Sequence, residues 1–274
     1  MPFFDFQDKL IHYQLDGNQT KPVLVLLNGI MMSTASWEVF VKPLVQHFYL
    51  VRIDMLDQGK SSKMDTPYTQ SLQVKMIESL FAHLNLKNIY LAGISYGGSI
   101  ALQYASSHPE RLKKMIVFNA VSKTSPWLKA IGDGWNAVAE TRSGNAYYHI
   151  TIPFIYSPKF YTNNIAWMEQ RKAMLIPLFS NPVFLDAMIR LTQSAETHNV
   201  DQALPNIHVP TLVVASEHDY LTPVFEQQYI VQTMPNAHIV EFKDCGHASM
   251  YEKPELFVQT LIGYFIAESH NYKI

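Results

Sequence analysis

Short, unbroken apolar runs recur along the chain, separated by stretches in which apolar residues fall at every third or fourth position. Residues 23–27, Val-Leu-Val-Leu-Leu, carry no polar side chain, which is the pattern of a central strand covered on both faces. Residues 49–55, 89–92, 115–119, 211–215 and 238–242 predict further short strands. Residues 3–6 and 9–15 predict a strand pair at the start, with a turn around Asp16-Gly17-Asn18. Leu72, Met76, Leu80 and Leu84 lie at helical spacing within residues 69–84. Ser36 is the expected N-cap of a helix over residues 37–47. Residues 99–107 form a helix of small residues behind the 89–92 strand, and Pro254 opens a last helix over 254–267. Strands alternating with helices predict a mostly parallel sheet with helices on both faces, and such sheets bind ligands beyond the carboxyl ends of their strands.

The alternation stops between residues 121 and 202. This stretch holds Trp127, Trp135 and Trp167, together with Tyr147, Tyr148, Phe154, Tyr156, Phe160, Tyr161, Phe179 and Phe184, and Pro153, Pro158, Pro177 and Pro182 punctuate it. A mainly helical cap over residues 121–202 is therefore expected, inserted into a core made of residues 1–120 and 203–274. Most of its aromatic residues serve its own core and its seam with the sheet. Some line the roof of a pocket, and Trp127, Trp135 and Tyr156 are the candidates.

With 48% apolar and 16% charged residues, the 274-residue chain has the composition of an ordinary globular protein with a large core. A net charge of −2 gives no reason to expect nucleic acid or an anionic membrane as partner. No apolar run approaches the ~18 residues of a membrane span, and residues 1–6 have neither the basic region nor the apolar stretch of a signal peptide. Cys245 is the single cysteine, which excludes an internal disulfide and a cysteine-based zinc site. The expectation is a cytoplasmic protein without metal or cofactor that takes a small-molecule substrate. The sequence does not indicate its oligomeric state.

Chemistry enters with Gly93-Ile94-Ser95-Tyr96-Gly97, a G-x-S-x-G pattern between a predicted strand and a predicted helix. Glycines flank the serine because a Cβ there would collide with the tight turn or its neighbours. The serine hydroxyl is presented at the carboxyl edge of the sheet, in front of a helix N-terminus. A serine is a weak nucleophile until a base removes its proton. His247, in Asp244-Cys-Gly-His-Ala-Ser-Met, follows a strand on the same edge and is the candidate base; His218 is its best rival, whereas His83 and His108 sit in or just after helices as surface residues. Asp219, in Ala215-Ser-Glu-His-Asp-Tyr-Leu-Thr-Pro, is the candidate acid that orients the imidazole, with Glu217 as the alternative nearer the strand and Asp244 a turn residue. The backbone N–H of Tyr96 is positioned to receive a developing oxyanion. Met31, Met32 and Met250 flank the inferred site and give it a soft, apolar lining, or simply fill core.

The order Ser95, Asp219, His247 along the chain matches that of this elbow motif in α/β-hydrolases. With Leu27-Asn28-Gly29-Ile30, Asp54 to Ser62, Gly93 to Gly98, Asp219 to Pro223 and Gly246-His247, the chain resembles the capped serine-nucleophile branch of the α/β-hydrolase superfamily, which includes carboxylesterases, enol-lactonases and carbon–carbon bond hydrolases. The resemblance implies the backbone N–H of Ile30 as the second oxyanion donor. Asn28 stands where relatives commonly have histidine, and Asp57 where they often have glycine. Tyr96 replaces the methionine usual in enol-lactonases, and Ala248 the tryptophan usual in carbon–carbon hydrolases. The resemblance implies a serine hydrolase acting on a neutral, largely apolar ester, lactone or thioester. The alternatives are a lyase, cyclase or carbon–carbon hydrolase on this scaffold, and a ligand receptor that keeps the triad with little turnover.

Overall fold

The computed structural model describes residues 2–267, so the last residues of the expected 203–274 segment, 268–274, lie outside the described residues. Among the described residues eight strands form one sheet: β1 (Phe3–Phe6), β2 (Lys9–Asp16), β3 (Val23–Leu27), β4 (Tyr49–Ile53), β5 (Ile89–Ile94), β6 (Leu112–Phe118), β7 (Thr211–Ser216) and β8 (Ala237–Phe242). Their order across the sheet is β1-β2-β4-β3-β5-β6-β7-β8. The β1–β2 and β2–β4 pairs are antiparallel, and all later pairs are parallel. The β1–β2 hairpin turns at Gln7-Asp8, with φ of 44° and 66°, the left-handed pair that suits a two-residue turn. Asp16-Gly17-Asn18 instead leads from β2 toward β3.

The helices are α1 (Glu38–Leu44), α2 (Gln70–His83), α3 (Tyr96–Ser107), α4 (Pro126–Glu140), α5 (Gly144–Ile155), α6 (Pro158–Asn163), α7 (Ile165–Phe179), α8 (Pro182–Ala195), α9 (Val224–Thr233), α10 (Ser249–Glu252) and α11 (Pro254–Ile266). Successive strand residues face opposite sides, and here both sides are covered. In β3, Val25 and Leu27 join the core on one face of the sheet, while Leu24 and Leu26 join the core on the other. That is why the central strands lack the polar alternation of a half-exposed strand.

One further expectation differs from the structure, and one helix is absent from the sequence pattern. Ser36 lies inside a 3₁₀ turn, Thr34–Trp37, and its Oγ reaches back to accept from Ser33 N–H at 3.1 Å, so it does not open α1. Helix α9 is missing from the apolar pattern because it buries only Gln227 and Ile230, too few positions to mark a face.

Five helices, α4 to α8, occupy the connection between β6 and β7. Those strands are neighbours, so the chain leaves and re-joins the sheet at one place. The two ends of the connection are zipped together by Thr124 N–H to His198 O (2.9 Å) and Val200 N–H to Ser122 O (2.8 Å). Among the described residues no single helix is long and apolar enough to cross a membrane.

Candidate active site

Ser95 stands between β5 and α3 with φ 52° and ψ −116°, a conformation that costs a non-glycine residue free energy and is held by its surroundings. Those surroundings leave no room for side chains on either flank. A Cβ on Gly93 would overlap the Gly97 carbonyl, and one on Gly97 would overlap the Leu27 carbonyl. The strand can therefore pass directly into the helix, lifting Ser95 above the sheet's carboxyl edge. The first intrahelical hydrogen bond runs from Ser99 N–H to Ser95 O (3.0 Å), so the N–H of Tyr96 lies before it and has no acceptor within the helix.

His247 arrives on the loop after β8 and Asp219 on the loop after β7. His247 Nε2 is 2.8 Å from Ser95 Oγ, and His247 Nδ1 is 2.8 Å from Asp219 Oδ2. An ionised carboxylate only accepts, so Nδ1 carries the proton and Nε2 is free to accept from the serine hydroxyl. Asp219 is almost wholly buried, which opposes ionisation. The His247 ring and the hydroxyl and N–H of Thr222 outweigh that burial and hold its carboxyl below the usual carboxylate range. The Thr222 donors lie at 2.9 Å (N–H) and 2.6 Å (Oγ1–H), and Leu221 N–H (2.9 Å) and Asn119 Nδ2–H (2.8 Å) complete the shell.

Three supports of this row lay outside the sequence reading. Asn119, at φ 49°, donates to Asp219 and accepts from Ser249 Oγ–H (2.7 Å), linking the acid to the His247 loop. Buried Glu252 accepts from Gly246 N–H (3.1 Å), Ser157 N–H (2.8 Å) and Ser157 Oγ–H (2.6 Å), fastening the same loop to α6. Ala248 N–H donates to Ile155 O (2.9 Å). These residues carry no sequence pattern; the Gly246 position alone gives a signal, since a Cβ there would strike Ser157 N. The rivals are placed elsewhere: Glu217 accepts from Asp244 N–H at 3.0 Å, and Asp244 turns the loop at φ 50° while pairing with Lys159.

Ser95 and His247 open onto a cavity of about 720 Å³ between the sheet edge and the inserted helices. Ile30, Met31, Tyr96, Trp135, Tyr156 and Met250 all line it. Trp127 does not. It is 56% exposed and its indole N–H donates to Tyr220 O (3.1 Å), because it lies in the first turn of α4, off the stripe that buries Gly132, Trp135 and Ala139. The Tyr96 phenol meets Ser194 Oγ of α8 at 2.7 Å, and burial pushes it up to about 12. Asn28 serves as a brace: it donates to Ile53 O (2.8 Å) and Gln58 Oε1 (3.0 Å) and accepts from Trp37 Nε1–H (2.6 Å). Among the described residues no group of three or more His, Cys, Asp or Glu side chains is arranged to hold a metal ion.

The sequence profile of the alpha/beta hydrolase fold matches residues 22–254. The chain belongs to the α/β-hydrolase fold family. The crystal structure of an alpha/beta hydrolase enzyme from a Medee basin deep-sea metagenome library superposes on this α/β hydrolase with a TM-score of 0.97, at 53% identity and with 100% of both chains covered. A Caulobacter sp. (strain K31) protein named "Putative carbamate hydrolase RutD" is 27% identical over 262 residues, spanning 94% of this chain and 97% of its own. The 3-oxoadipate enol-lactonase 1 of Acinetobacter baylyi (strain ATCC 33305 / BD413 / ADP1) is also 27% identical over 262 residues, spanning 94% of each. Hydrolase activity is what this α/β-hydrolase membership and these relatives support; their names differ in the bond cleaved.

Proposed function

We propose that this chain is a serine hydrolase that transfers the acyl group of a small, largely apolar ester, lactone or thioester to water through an acyl-serine intermediate. The observation that carries the reading is the unbroken hydrogen-bonded row Ser95–His247–Asp219 at the floor of an apolar cavity. As Ser95 Oγ attacks the carbonyl carbon, His247 Nε2 takes its proton and Asp219 stabilises the imidazolium. The negative charge moves onto the former carbonyl oxygen, which the N–H groups of Tyr96 and Ile30 receive. Collapse breaks the bond to the alcohol, thiol or enol, and His247 gives that leaving group the proton. Water then attacks the acyl-serine with the same base, releasing the acid and free Ser95. Residues 121–202 act as the cap that keeps bulk water from the apolar chain of the substrate, over a core of 1–120 and 203–274. The short ties from Asn119 and Glu252 to the His247 loop favour this reading, because they fix the base at reacting distance before substrate arrives.

A fluorophosphonate probe is expected to label the peptide containing Ser95, and Ser95→Ala is expected to lose both labelling and p-nitrophenyl ester hydrolysis. Labelling elsewhere, or a Ser95→Ala protein of full activity, would falsify the assignment.

A further inference from the structure

One charged group in the cavity wall has no counterpart. The charged side chains lining the cavity, apart from His247, are Lys129, Asp133, Glu196 and Arg171. Lys129 is neutralised at the surface by Asp133 at 2.9 Å and Glu196 at 3.1 Å. Arg171, on α7, has neither a carboxylate nor a hydrogen-bond acceptor among the described residues, and its Nε is buried without a partner. The other four arginines, Arg52, Arg111, Arg142 and Arg190, each hold a carboxylate. Arg171 is instead held by two rings: its guanidinium carbon lies 5.1 Å from the Trp167 ring centroid and 4.6 Å from that of Tyr251. Ring faces attract the cation but accept none of its in-plane N–H bonds. Tyr251 also lines the cavity and follows the His247 loop directly, and Arg171 and Ser95 both belong to the wall of that cavity.

We propose that Arg171 is a specificity-determining residue that binds a carboxylate at the far end of the acyl substrate, so that the preferred substrate is a monoester of a dicarboxylic acid or its lactone or thioester equivalent. With Nε covered, it is the terminal Nη1–H and Nη2–H groups of the planar guanidinium that are left to donate to the two oxygens of a carboxylate. The apolar walls accommodate the methylene chain between that carboxylate and the scissile carbonyl. No bond forms or breaks at Arg171. The site is built for a charged end that the sheet-side machinery alone does not require. This deepens the acyl-transfer reading and rests on it for the kinetic part of the test.

The kinetic part compares p-nitrophenyl half-esters of succinate, glutarate, adipate and pimelate with p-nitrophenyl esters of the matching monocarboxylic acids. In Arg171→Met, kcat/KM for the best half-ester is expected to fall roughly 10- to 100-fold, while the matched neutral ester changes by less than about threefold. Arg171→Lys keeps the charge but not the fork and is expected to fall between. Should Arg171→Met fail to fold, Arg171→Lys carries the comparison: a loss confined to half-esters supports the proposal, and an equal change in both series overturns it. The binding part needs no turnover. Glutaric acid monoamide is titrated calorimetrically into Ser95→Ala protein with and without Arg171→Met. Binding that disappears with Arg171 supports the carboxylate site even if every ester proves inert, in which case the acyl-transfer reading alone has failed. Binding unchanged by the loss of Arg171 overturns the proposal.

Discussion

At Asp219, burial and hydrogen bonding pull ionisation in opposite directions, and the balance has a measurable sign. The folded carboxyl is held below its unfolded value of about 3.9. A group depressed in this way contributes stability that is fully present above that unfolded value and is lost as pH falls through the folded one. Urea midpoints of the wild-type protein are therefore expected to drop on the acid side of pH ~4, and Asp219→Asn, which has no such proton to bind, is expected to show a shallower fall. Identical acid limbs would remove Asp219 as a contributor. The same variant presents an amide that no longer fixes Nδ1–H, so kcat on a p-nitrophenyl ester is expected to fall by about 10³–10⁴ with ligand binding largely kept. Comparable turnover in the two proteins would mean that the imidazole is oriented by something other than the carboxylate.

Among the ties between the inserted helices and the sheet is one buried ion pair. Asp57 sits at φ 67° in the loop after β4, with its carboxylate fully covered, and Arg190 of α8 reaches it at 2.6 Å. Removing one partner strands the other charge in the interior, so Arg190→Met is expected to cost about 3 kcal/mol in urea unfolding. Asp57→Asn combined with Arg190→Met is expected to cost less than the sum of the two single changes, and strict additivity would mean that the pair is not coupled. Asp57 also illustrates where sequence reading stops. That position favours glycine because its φ is positive, and the loop signal was visible; its partner lies far along the chain in a helix with no motif. The parallel strands, the serine elbow and the loops that bring Ser95, Asp219 and His247 within hydrogen-bonding distance were legible because each imposes a local pattern: a continuous apolar run, flanking glycines, a polar residue just after a strand. Asn119, Glu252 and Arg171 were not, since each acts through contacts between distant segments. The roof was legible only in part. Trp127 and Trp135 are both tryptophans of α4, and position along the helix together with helix phase separates the exposed one from the one in the cavity wall.

Taken as one body, the molecule keeps a core on each face of the sheet, and Cys245 lies within the one that packs against α11. Burial pushes its thiol up to about 12, so the reactive thiolate is almost absent at neutral pH. Ellman's reagent is expected to leave the native protein untouched and to react at the rate of global unfolding in denaturant; fast reaction in native buffer would reveal a local opening around the β8–α10 loop. The zipped ends of the α4–α8 segment have a different consequence. Departure and return occur through one isolated antiparallel bridge between residues 123 and 199, flanked by the hydrogen bonds of Ser122, Thr124, His198 and Val200. A segment anchored in this way is interchangeable in principle, so that lineages can trade one roof for another, and with it the molecules admitted, while the hydroxyl, imidazole and carboxylate below stay where they are.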